Sequence, residues 1–150
     1  MPDLPDLDAL LNRLPHAGTA RLPDAILSLE PGARVTAIHA VSAGDPRVSV
    51  TGELPAVLLV ELMAQAGGLL VEQKDGEHEG ALMAGVRRMH LHGTARAGET
   101  VVVECRLARK LGEMYLISAS ASCEGRSLAH GEILLRRASM RPMKQGTGKP

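Results

Sequence analysis

Glu61 and Gln65 are the residues whose setting most demands a chemical explanation. They interrupt "PAVLLVELMAQAGGLLV" (55–71), a run otherwise made of apolar and small residues. Four apart on a helix, they lie on one face, one turn from each other. A buried ionised carboxylate is costly unless it is paired or hydrogen-bonded. One explanation is structural: Glu61 pairs with an arginine such as Arg13, Arg87 or Arg88, or points out at an interface. The other is chemical: burial raises the pKa of the carboxyl and fits it for general acid or base work near neutral pH. Gln65 would then orient it or hold a polar group of the substrate. The histidines are weaker signals. His90 and His92 share a strand face and have the spacing of a chelating pair, but no metal or other cofactor is assigned to them. His78 sits in a polar loop and reads as solvated.

The elements that must position Glu61 are legible from periodicity. Residues 1–13 contain a possible short helix, "DLDALLNRL", on a loosely held arm. "DAILSLE" (24–30) and "RVTAIHAV" (34–41) are strands joined by the Pro-Gly turn at 31–33. A loop rich in turn formers (42–55) leads to a helix over 56–73, with Pro55 in its first turn. Four further strands follow: 81–93, 99–110, 114–124 and 127–137. Within 99–110, Val101, Val103, Cys105 and Leu107 share one face while Glu104 and Arg106 share the other. Such alternation marks an antiparallel sheet with one covered face. One long apolar helix before an antiparallel meander implies an α+β fold in which the sheet curls round the helix. Gly67 and Gly68 weaken that helix but let strands approach its backbone. The domain is expected over 14–137, with a disordered tail at 138–150.

Composition narrows the classes of function. At 150 residues the chain is one domain with room for a core. Seventeen Lys plus Arg balance seventeen Asp plus Glu, which leaves no footprint for nucleic acid or an anionic membrane. The longest apolar segment is too short and too Gly-rich to span a bilayer, and the start of the chain does not read as a signal peptide. Cys105 and Cys123 form no framework, so a reducing cytoplasm is the default and both are expected as free thiols. With no Phe, no Trp and one Tyr, any pocket is walled by aliphatic side chains.

Three blocks in order carry a family resemblance. "PAVLLVELMAQ" (55–65) is similar to the central-helix motif of the 3-hydroxyacyl-[acyl-carrier-protein] dehydratases of the hot-dog fold, Pro-Gly-Val-Leu-x-x-Glu-Ala-x-Ala-Gln. "LPHAGTARLPDAILSLEPGARVTAI" (14–38) resembles that family's opening Leu-Pro-His segment. "AGVRRMHLHGTARAGETV" (84–101) resembles its strand ending in Pro-Gly-Asp. The family also carries a catalytic histidine in a Gly-His-Phe-Pro element before the helix. Here the corresponding stretch is "VTGELPAV", about four residues shorter, with Glu53 where the histidine would stand. The short Gly-x-x-Pro-Ala lead-in also resembles dehydratase-like proteins of aryl polyene gene clusters.

The resemblance implies a hot-dog fold and a 3-hydroxyacyl thioester, on acyl carrier protein or coenzyme A, as substrate. Glu61 and Gln65 would be its chemical groups, with His16 or Glu53 filling the vacancy left by the histidine. Backbone N–H groups of Ala56 and Val57 would hold the thioester carbonyl, and Arg87 and Arg88 would border the site. Strand 82–91 would pair with its twin in a homodimer, or with a second, different hot-dog chain. A thioesterase and a non-catalytic acyl binder or partner subunit are the alternatives.

Overall fold

Alternation of apolar and polar side chains builds the sheet. The structure, a computed structural model, describes residues 6–12, 14, 20–48, 50–72 and 79–139. In β4 (Thr100–Leu111), Val101, Val103 and Cys105 are fully buried while Glu104 and Arg106 face solvent. β5 (Met114–Cys123) repeats the pattern through Tyr115, Ile117 and Ala119. With β1 (Ala25–Glu30), β2 (Arg34–Ala40), β3 (Glu79–Leu91) and β6 (Arg126–Ser139), these form one antiparallel sheet of order β1-β2-β4-β5-β6-β3.

Helix α2 (Ala56–Gly67) packs across β2, β4, β5 and β6 and buries Leu59, Leu62, Met63 and Ala66 completely. This is the α+β, sheet-round-helix arrangement expected of a hot-dog. The helix is shorter than its apolar run. Its α-helical part stops at Gly67, and Gly68–Leu70 tighten into a 3-10 turn before Val71 becomes extended. A Cβ on Gly67 would stand 3.2 Å from Ile117 Cγ2, so the sheet approaches the helix closely where two glycines end it. Pro55 is the N-cap rather than a first-turn residue, and it offers no side-chain cap.

The expected short helix near the N-terminus is α1 (Leu7–Leu11), where the Asp6 carboxylate accepts from Asp8 N at 3.1 Å and Ala9 N at 3.3 Å. Leu10 is buried in the core, so this segment packs on the domain instead of forming a loose arm. β3 and β6 extend beyond their expected limits, to Glu79 and Ser139. The remainder of the tail, residues 140–150, lies outside the described residues.

Cys105 and Cys123 are free and buried. Cys105 faces Ala119, and a bulge between Leu107 and Arg109 shifts the β4–β5 register by one residue on the way to it. Cys105 and Cys123 are thus about four residues apart along the sheet, roughly 13 Å, beyond disulfide reach. Among the described residues, no helix is long and apolar enough to cross a membrane.

Candidate functional site

α2 is not buried all round. Its strip through Val57, Val60, Glu61 and Ala64 is exposed or half-buried, while Gln65 is 3% exposed. Glu61 therefore stands at the margin of the core rather than sealed within it. Gln65 fixes one of its oxygens: Nε2 donates to Glu61 Oε1 at 3.1 Å. The same nitrogen donates to the Ala20 carbonyl at 2.8 Å, and Gln65 Oε1 accepts from Leu22 N at 2.9 Å. Gln65 thus clamps the segment before β1 onto the helix and orients Glu61 at once.

A further polar group, which sequence reasoning missed, abuts this clamp. His39, buried on β2, directs Nδ1 at the Leu22 carbonyl (2.6 Å) and at Asp24 Oδ2 (3.2 Å). In the sequence it sits on the inward face of an alternating strand with Val35 and Ala37, and nothing local distinguishes it from a core position.

The N-terminus of α2 is exposed at Val57, which is 70% accessible. The first N–H groups of a helix have no acceptor within it, so those of Ala56 and Val57 can bind a carbonyl or oxyanion. The preceding loop is tied down: Leu54 N donates to Ala95 O at 2.9 Å and Ala97 N to Gly52 O at 2.8 Å. Glu53 bridges to Arg96, with Arg96 Nη2 3.5 Å from its Oε1. Glu53 is thus engaged in an exposed ion pair at the mouth of the helix. His16 and Arg13 lie outside the described residues.

Arg87 and Arg88 stand on the outer face of the sheet, away from the helix. Arg87 Nε is 3.8 Å from Glu132 Oε2, and Arg88 lines a groove of about 410 Å³ with Glu104, Arg106 and His130. The lining of this groove includes neither Glu61 nor Gln65. The cause is a bulge between Arg87 and His90, where Arg88 adopts φ 49° and β3 crosses over Gly131. His90, His92 and His130 form a three-ring cluster, with the His130 ring centroid 5.0 and 4.9 Å from those of His90 and His92 and these two 6.3 Å apart, and His92 Nε2 lies 3.0 Å from His130 Nδ1. Among the described residues, no group of three or more His, Cys, Asp or Glu is placed to hold a metal ion.

A carboxylate and an amide one turn apart on the central helix, under an antiparallel sheet of this order, can be compared with known proteins. Residues 9–143 match the family model for ApeP-like dehydratases. The chain belongs to that family. It is 33% identical over 126 residues to a 3-hydroxyacyl-[acyl-carrier-protein] dehydratase of Ruminiclostridium cellulolyticum, covering 80% of this chain and 88% of the relative. A second such dehydratase, from Oleidesulfovibrio alaskensis, is 30% identical over 135 residues, covering 85% and 88%. Among solved structures, the dehydratase heterocomplex ApeI:P from Xenorhabdus doucetiae superposes with a TM-score of 0.76 at 19% identity, over 87% of this chain and 91% of that one. This ApeP-like chain is thus a dehydratase-like hot-dog protein by family and by fold.

Proposed function

We propose that the chain acts on a 3-hydroxyacyl thioester, carried by acyl carrier protein or coenzyme A, and that Glu61 is its principal chemical group. The observation that carries this is the Glu61 carboxylate, held by Gln65 on the half-open side of a helix that is otherwise core. In the reaction, a base removes the α-proton, the C–O bond to the β-hydroxyl breaks, and Glu61 delivers the proton with which that hydroxyl leaves as water. Negative charge gathers meanwhile on the thioester oxygen, where the N–H groups of Ala56 and Val57 and the helix dipole would stabilise it.

The base is the open position. Glu53 and His16 are the candidates within this chain. A second hot-dog chain is the candidate from outside, and the likeness to a heterocomplex supports it. β3 offers the surface for a partner: it is one of the two edge strands of the sheet and exposes Leu82, Met83, Val86 and Leu91. An unpaired apolar edge invites strand pairing with another chain. We take a homodimer through β3 as the basic assembly, with Arg87 and Arg88 at its border to meet an anionic carrier, and a reducing cytoplasm as its setting.

The test is to incubate the protein with 3-hydroxyacyl and saturated acyl thioesters, alone and with a histidine-bearing hot-dog dehydratase. Enoyl product from the protein alone, or from the mixture at a rate above that of the partner dehydratase by itself, supports the proposal. Free thiol without enoyl product would make the chain a thioesterase, and binding without turnover in any mixture would make it an acyl binder.

A further inference from the structure

His39 is a buried polar group to which the chemistry above gives no task. It is 3% exposed, and its Nε2 is buried with no hydrogen-bond partner among the described residues. Its Nδ1 faces two oxygens, the Leu22 carbonyl at 2.6 Å and Asp24 Oδ2 at 3.2 Å. The Asp24 oxygen already accepts from Ala40 N at 2.7 Å. Both neighbours are acceptors, so the hydrogen must be on Nδ1. An unpaired buried nitrogen is a cost that an apolar side chain of similar size would avoid. The contact at Nδ1 is therefore the reason to have an imidazole here.

That contact holds one side of a residue whose other side is held by Gln65. Leu22 lies before β1, outside the strand ladder, and is 1% exposed. Its carbonyl is held by His39 and its N–H by Gln65 Oε1. Gln65 in turn donates to Glu61. We propose that His39 is a positioning residue for Glu61, acting through the Leu22 backbone and the Gln65 amide. The proposal rests on Glu61 being the chemical group of the site. Without the Nδ1 donor, the Leu22 carbonyl becomes a buried acceptor lacking that bond, the Leu22–Pro23 peptide turns to find another, and the Leu22 Cα that it shares with the Arg21–Leu22 peptide shifts, so that Gln65 loses the fixed N–H that orients it.

The experiment compares His39→Asn, which keeps a donor at the δ position and has no counterpart of Nε2, with His39→Gln and His39→Ala. The first readout is the side-chain amide of Gln65 by ¹⁵N NMR, since both its hydrogens are bonded, one to Ala20 and one to Glu61. Shifted, slowly exchanging amide resonances are expected in the wild type and in His39→Asn, with collapse towards free-glutamine values in the other two. The second readout is turnover: His39→Ala and His39→Gln should lower kcat by up to about 10²-fold with KM nearly unchanged, the scale of a small misplacement of a catalytic group. His39→Asn should restore most of it.

Unchanged Gln65 resonances in His39→Ala would overturn the proposal. So would a His39→Asn protein as impaired as His39→Ala, which would make Nε2 the acting atom. If His39→Ala does not fold, the Asn and Gln variants decide on the same resonances. If the wild type forms no enoyl product either alone or with a second hot-dog chain, the dehydratase reading fails while the Gln65 resonances still decide the role of His39.

Discussion

Gln65 and Glu61 sit one turn apart, yet their substitutions should fail in opposite ways. Gln65 uses both amide hydrogens and its oxygen inside the fold, on Ala20, Glu61 and Leu22. Gln65→Leu would strip partners from the Leu22 N–H and the Ala20 carbonyl in a dry setting, so it should cost about 3 kcal/mol of stability, read by chemical denaturation. Glu61 lies at the margin, and Glu61→Gln keeps its shape and an oxygen for Gln65. That variant should melt close to wild type and lower kcat on a 3-hydroxyacyl thioester by at least ~10²-fold, the scale of general acid–base catalysis. Equal activity in Glu61→Gln would make Glu61 structural.

At the scale of elements, β3 is shaped by a glycine on its neighbour. A Cβ at Gly131 would lie 2.7 Å from Met89 Cα and 3.0 Å from the Arg88 carbonyl. Both contacts are backbone atoms, which cannot swing aside. Gly131→Ala must therefore open the bulge that re-aims Arg88 outward, at a cost of about 1–3 kcal/mol. Loss of the Arg88 left-handed conformation in a crystal structure of the variant, together with a lower denaturation midpoint, is the expected result. Because β3 is also an edge strand, the same change should weaken any assembly made through it.

At the scale of the molecule, assembly and acid stability can be tested separately. Wild-type protein should be dimeric by light scattering at micromolar concentration, and Val86→Asp, on the exposed apolar edge, should be monomeric. Acid stability should depend on the loop between β2 and α2. There the Arg47 guanidinium donates to Asp45 at 2.6 and 3.0 Å, and the Arg47 backbone N–H adds a third bond at 2.8 Å. The side-chain bonds from Arg47 chiefly hold the Asp45 pKa at about 2, below its ordinary 3.8, against the opposing effect of burial. A depressed carboxyl stabilises the fold above the unfolded pKa, and the contribution disappears as pH falls through the folded value. Asp45→Asn should thus lower stability by about 1.5 kcal/mol at pH 7 and flatten its decline between about pH 4 and pH 2.

The residues by themselves determined the strand faces, the central helix and the pairing of Glu61 with Gln65, because each depends on a repeat of two or of 3.6 residues along a short stretch. Val101, Val103 and Cys105 had to share a face whatever their partners were. The extent of the helix was less legible, since its apolar run continues past the glycines that end it. What only the tertiary structure decided is which distant groups meet. His39 touches Leu22 from 17 residues away, and Leu22 touches Gln65 from 43. The reversal that sends Arg88 to the outer face depends on a bulge laid over Gly131, on another strand. Periodicity encodes which way a side chain faces; register and bulges, set by the packing of whole strands, decide what it finds there.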